Sequence, residues 1–253
     1  MPMEQMDLKL RLFGGESLMA EGYGNIKPLT VRQIVRYGYM DYMKSLNLLC
    51  VDKKDLLNDS GGIDEQELAE ISSLDLIIAF GGEELESEFE KALAFFLGGE
   101  TILDKEEVAV YVKLSDTEVR KVDGKNFDNI VEVLKWHNYI NNFEDKKIDE
   151  APMDERTRKF KERLKKLQKQ RDEIKKKKSQ EDEDSDLDFY DIISSISSKS
   201  HSINELNVMD LTVYQVYSKF KRMEVIDQYD ISIKSILAGA KDIKLKHWSS
   251  KTD

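Results

Sequence analysis

One block of charge constrains this chain more than any other feature. Between residues 154 and 178 there are thirteen Lys or Arg against five Asp or Glu, a net of +8, and almost nothing apolar. The next stretch, 181–191, reverses the sign, with seven carboxylates and no cation. Such a segment lacks the hydrophobic surface that offsets the entropy of packing, so it divides the chain into two parts that do pack. Residues 1–150 form an N-terminal domain in this reading, 151–186 a charged helical linker, and 187–253 a helical C-terminal domain. Phe160, Leu164, Leu167 and Ile174 leave one narrow apolar seam along the basic stretch. It makes a helix of about 37 Å at ~1.5 Å per residue, too thin a seam to specify a coiled coil.

The N-terminal part reads as mostly α with a small β-hairpin, an α+β domain. Leu8, Leu10 and Leu12 alternate with Lys9 and Arg11, which predicts a short strand ending at Gly14-Gly15. Thr30 and Gln33 have the spacing of a capping box. Val31, Ile34, Val35, Tyr42, Leu46 and Leu49 then recur at helical intervals. Asp64 and Glu67 open a second helix carrying Leu68, Ile71 and residues 74–76 inward, stopping near Gly81-Gly82. A third runs from Glu83 to Leu97, with Leu85, Phe89 and Phe96 inward, and stops at Gly98-Gly99. The period then changes to two at Val108, Val110 and Val112, and Val119 and Val122 follow a turn at Ser115-Asp116, which predicts a hairpin. Asn126 is the expected cap of a helix whose apolar face is Phe127, Ile130, Val131 and Leu134, with Trp136 and Tyr139 toward its other side.

The C-terminal part reads as all α. Leu187, Ile193 and Ile196 predict a short helix ending in the serine-rich stretch 194–202. Asp210 or Thr212 caps a longer one bearing Val213, Val216, Tyr217, Phe220, Met223, Ile226, Tyr229, Ile233 and Leu237, which stops at Ala238-Gly239. Some sixty residues close a marginal core alone, so docking on another surface is expected.

No reaction chemistry emerges from the motifs. His137, His201 and His247 are scattered and Cys50 is alone, so neither a zinc site nor a disulfide framework is expected. The glycine pairs continue into neither G-K-[ST] nor G-x-G-x-x-G. Asp182, Asp184, Asp186 and Asp188 alternate as calcium ligands do. However, Leu187 stands where that loop needs glycine and Ile193 where it needs a bidentate Glu. No G-x-S-x-G turn occurs. The reading is therefore no enzyme, no metal and no cofactor. Nucleic acid is the weaker partner reading: the basic stretch 156–178 could meet phosphate, but the chain carries −11 overall and that stretch has one aromatic. No apolar run is long enough for a membrane span, and residues 1–10 lack a secretory pattern, which points to the cytoplasm.

Three stretches carry a resemblance. They are IKPLTVRQIVRYGYMDYMKSL at 26–46, DGKNFDNIVEVLKWHNYI at 123–140, and 188–250 with its L-T-x-Y-Q-x-Y, D-I-x-I-K-x-x-x-A-G-A and terminal H-W-S-S. In this order they resemble a family of tail proteins from tailed phages and prophages of Gram-positive bacteria, regarded as tail assembly chaperones. The resemblance implies a helical protein that coats the tape-measure protein and recruits tail-tube subunits in the cytoplasm of the infected host. Self-association stays open. So does a structural minor tail or connector component retained in the virion. Tyr214, Tyr217, Phe220 and Trp248 occupy motif-like positions and are large enough to anchor a partner. The spacing of the first three more often marks a core face, about two to one.

Overall fold

The computed structural model describes residues 5–50, 72–80, 83–140, 187–240, 243 and 245–250. The expected linker at 151–186 lies outside them, as do the helix start at Asp64 and Glu67 and the stop at Gly81-Gly82. The fold is mostly helical with two small antiparallel sheets, an α/β N-terminal region and a helical C-terminal region.

The first element corrects the expected strand. Residues Gln5–Gly14 form a helix, α1. A strand would place Leu8, Leu10 and Leu12 on one face, yet Leu12 is buried and Leu10 is 61% exposed. Leu8 packs on the core one helical turn before Leu12, the i, i+4 relation of a helix. Five alternating residues among strong helix formers do not outweigh that propensity. The first β-structure comes later, where β1 (Leu18–Ala20) pairs with β2 (Gly24–Ile26).

The predicted capping box forms as expected. Thr30 Oγ1 accepts from the Gln33 N–H, the Gln33 side chain accepts from the Thr30 N–H, and α2 (Val31–Tyr37) follows. The single helical period of the sequence is two helices, because Gly38 (φ +104°) breaks it before α3 (Tyr39–Cys50). Val31, Ile34, Tyr42, Leu46 and Leu49 are buried as expected, whereas Val35 is 59% exposed.

Helix α4 (Ser73–Phe80) is short; α5 (Glu83–Leu97) buries Phe89, Ala92, Leu93 and Phe96 on one stripe. The hairpin of β4 (Ala109–Lys113) and β5 (Val119–Val122) is present, and β3 (Glu100–Asp104) adds a third strand on the other side of β4. Gly99 enters this sheet with no room for a side chain: a Cβ there would lie 2.6 Å from the Lys113 carbonyl oxygen. Asn126 precedes α6 (Phe127–His137) but makes no capping bond. Its side chain instead accepts from the Asp123 N–H and donates to the carbonyls of Gly22 and Lys121, fastening the first hairpin to the sheet. Helix α6 buries Trp136 as well as Phe127, Ile130 and Leu134 and leaves Asp128 and Glu132 exposed on its opposite face.

In the C-terminal region α7 spans Phe189–Lys199, capped by Asp188 with its own capping box. A 3₁₀ turn (Val208–Asp210) leads to α8, a helix of 25 residues from Val213 to Leu237. Thr212 is its cap, again in a full capping box with Gln215, and the helix stops at Ala238-Gly239, where Gly239 takes φ +93°.

The two regions meet through their caps. Thr30 and Thr212 form an antiparallel bridge, and the Val31 N–H donates to the Leu211 carbonyl at 2.9 Å. Arg32 pairs with Asp210, and Gln215 Nε2 donates to the Phe13 carbonyl. The hydrophobic cores interleave as well. Val213 and Tyr214 of α8 join the large N-terminal cluster, while Val31 of α2 joins the smaller cluster of Phe189, Ile192, Ile196 and Val216. The surface on which the helical segment was expected to dock is the N-terminal region of the same chain.

Candidate protein-binding groove

Helix α8 changes character along its length. Its buried residues are Val213, Tyr214 and Val216, all in the first turn or so. Further along, Ile231 is 62% exposed and Leu237 82%. Past Val216 the helix carries no fully buried residue among the described ones, and its last apolar residues are exposed.

Where α8 leaves the body, it forms one wall of a groove of about 660 Å³. Helix α7 supplies Ile196 and Lys199, and the loop after it Ser200, His201 and Ile203. Helix α8 supplies Ser218, Lys219, Arg222, Met223 and Ile226, and the end of α1 supplies Phe13. The lining thus combines apolar side chains with Lys, Arg, Ser and one His. Lys199 pairs with Asp227 across the two helices. The Lys219 ammonium lies 5.9 Å from the Phe13 ring centroid, within cation–π range. Arg222 Nη1 donates to the carbonyls of Trp248 (3.0 Å) and Ser250 (2.7 Å), which straps the last described residues to α8.

A second groove, of about 440 Å³, lies across the other face of α7. Ile34, Val35, Tyr39, Phe189, Tyr190 and Met209 make it apolar, and its charged lining is Asp188 and Glu205.

The four residues singled out in the sequence separate into two groups. Tyr214 (7% exposed) is interior and Tyr217 half-buried against the core: Tyr139 stacks on Tyr217 at 5.5 Å and tilts against Tyr214 at 5.4 Å. The row continues through Phe189 to Tyr39. Burial drives the Tyr214 hydroxyl pKa up to about 12, and it raises that of Tyr217 as well. Phe220 packs against the smaller core. Trp248 stands apart, 49% exposed, with its ring against His247, which in turn packs edge-on against Tyr229. The structure brings the first three together as packing and leaves Trp248 accessible.

Sequence reasoning missed Phe13, Lys199, Lys219 and Arg222. The strand reading of 8–12 hid that Phe13 ends a helix. Lys219 and Arg222 are three residues apart on α8, a spacing that places them on one face, but in so charged a chain that signal is faint.

Fold and groove together define a helical protein with an open, amphipathic surface. Residues 175–253, which hold α7, α8 and the strap, match the family model of the YomV second domain, a domain of phage-type proteins. No curated protein and no solved structure matches the chain. Among the described residues, no helix is long and apolar enough to cross a membrane.

Proposed function

We propose that this chain is a phage tail assembly chaperone, which binds the tape-measure protein and helps recruit tail-tube subunits without catalysing a reaction. The observation that carries the reading is the open apolar groove at the root of α8, lined, apart from Phe13, by the segment that matches a phage-related domain. The motif resemblance over 26–46, 123–140 and 188–250 supports the same reading. A chaperone of this kind needs apolar contact area to cover an insoluble client and enough like charge to keep the complex in solution. The groove offers the first and a net charge of −11 the second. Its place of action in this reading is the cytoplasm of the infected bacterium.

The test is co-expression of the full chain with the tape-measure protein encoded beside it. The two are expected to co-purify, and the tape-measure protein to stay soluble only when its partner is present. A folded chain that neither associates nor rescues solubility would overturn the proposal. Finding the chain at fixed stoichiometry in purified virions would instead make it a structural tail component.

A further inference from the structure

The groove at the root of α8 has a charge opposite to that of the protein. The chain carries −11, yet among the described residues this lining contains Lys199, Lys219 and Arg222 and no Asp or Glu. Lys199 shares its charge with Asp227, which stands outside the lining. Arg222 is held by two neutral carbonyls, so its positive charge is not cancelled by those contacts. Beneath these groups lie Phe13, Ile196 and Met223. An apolar trough walled by two helices takes the apolar face of a third, and a rim of one sign selects an occupant of the other.

We infer that this groove binds an acidic amphipathic helix of a partner protein. Its apolar side rests on Phe13, Ile196 and Met223, and its carboxylates face Lys199, Lys219 and Arg222. The inference rests on the partner-holding reading above and deepens it by naming the chemistry of the occupant. The second groove gives an internal contrast. Its charged lining is Asp188 and Glu205, which repel the same helix, so binding is confined to one side of α7.

The test uses the full chain and a fluorescein-labelled peptide of about 18 residues, long enough to form an isolated helix. The peptide carries Leu at i, i+3, i+4 and i+7 and Glu on the remaining face. Its control replaces every Glu with Lys. Anisotropy titrations should show saturable binding of the acidic peptide, weakened by added salt, and little binding of the control. Lys219→Glu should weaken the acidic peptide about tenfold and improve the control. Met223→Ala, read at the same helical circular dichroism, should weaken both peptides through the floor. Equal binding of the two peptides, indifference to Lys219→Glu, or no binding to a folded chain would each overturn the inference. So would a free chain that dimerises and becomes monomeric on Lys219→Glu, since the occupant would then be a second copy. Co-purification with the tape-measure protein without peptide binding removes the groove chemistry and leaves the chaperone reading. Peptide binding without co-purification does the reverse.

Discussion

His137 makes stability depend on pH in a way that can be worked out from its surroundings. It closes α6, is 3% exposed, and neither of its ring nitrogens has a hydrogen-bond partner among the described residues. Burial without a partner disfavours the charged ring and lowers its pKa from 6.5 to about 4. Above pH 6.5 the ring is neutral in both the folded and the unfolded chain, and it adds no pH dependence. Below that value the unfolded chain takes up a proton that the folded one refuses, so stability falls as the pH is lowered. The loss levels off below about pH 4, where both states are protonated. At ~1.36 kcal/mol per pH unit, the whole window is worth about 3 kcal/mol, and about 2 kcal/mol of it has gone by pH 5.

The perturbation is His137→Leu, which removes the titrating group and keeps an apolar side chain in the site. Urea unfolding followed by far-ultraviolet circular dichroism gives both stabilities at about pH 7.5 and pH 5. Other titrating groups are common to the two proteins and cancel in the double difference. Between these pH values the unsubstituted protein should lose about 2 kcal/mol more than the variant. At pH 7.5 the variant should be no less stable by more than the cost of imperfect packing, because a buried unpaired ring has been removed. Equal pH dependence of the two proteins would refute the reasoning, since the folded protein would then be stabilising the charged ring or exposing it.

Three further substitutions test the packing of the fold. Thr212→Ala removes the cap of α8 and should cost about 1 kcal/mol, measured as a shift in the urea midpoint, with Thr212→Ser recovering most of it. Gly99→Ala places a Cβ 2.6 Å from the Lys113 carbonyl oxygen and 2.9 Å from Val112 Cγ1, and should lower stability by about 1–3 kcal/mol in the same assay. Phe89→Ala empties a fully buried site against Phe127 and should cost about 3–5 kcal/mol, enough to lower the melting temperature sharply.

What was legible in the sequence was what local chemistry determines. The capping box at Thr30, a cap for α8 at Asp210 or Thr212, the stripe of α5, the stop at Gly239 and the β4–β5 hairpin each follow from side chains within a few residues of one another. The features that were not legible are those set by distant partners. Strand β3 has only Ile102 and Leu103 as apolar residues, and Ile102 is 67% exposed, so its identity comes from pairing with β4 and not from its own pattern. Helix α1 was mistaken for a strand because alternation over five residues resembles a half-buried strand until the core position of Leu12 and the exposure of Leu10 are known. Asn126 was named as a cap on its residue type, but its amide is spent on Gly22 and Lys121, partners brought in by the fold. The tyrosines nominated for contact illustrate the same limit. Spacing alone does not distinguish a face that meets Tyr139 from one that meets another protein.

The groove itself is a product of the two ends of the chain. Phe13 comes from the first helix and every other lining residue from 196 onward, and they are brought together by Gln215 holding the Phe13 carbonyl and by α1 packing on α8. Removing 187–253 would strip Val213 and Tyr214 from the larger core, and isolating it would take Val31 from the smaller one. A truncation therefore confounds loss of the contact surface with loss of the fold that forms it. Substitution on the rim avoids that confusion. Lys219 is a half-exposed side chain near the ring of Phe13 and belongs to neither core, so reversing its charge alters the charge of the groove while leaving both cores intact. A groove whose lining joins Phe13 to residues from 196 onward is complete only when the two ends meet, so it forms only in the folded chain.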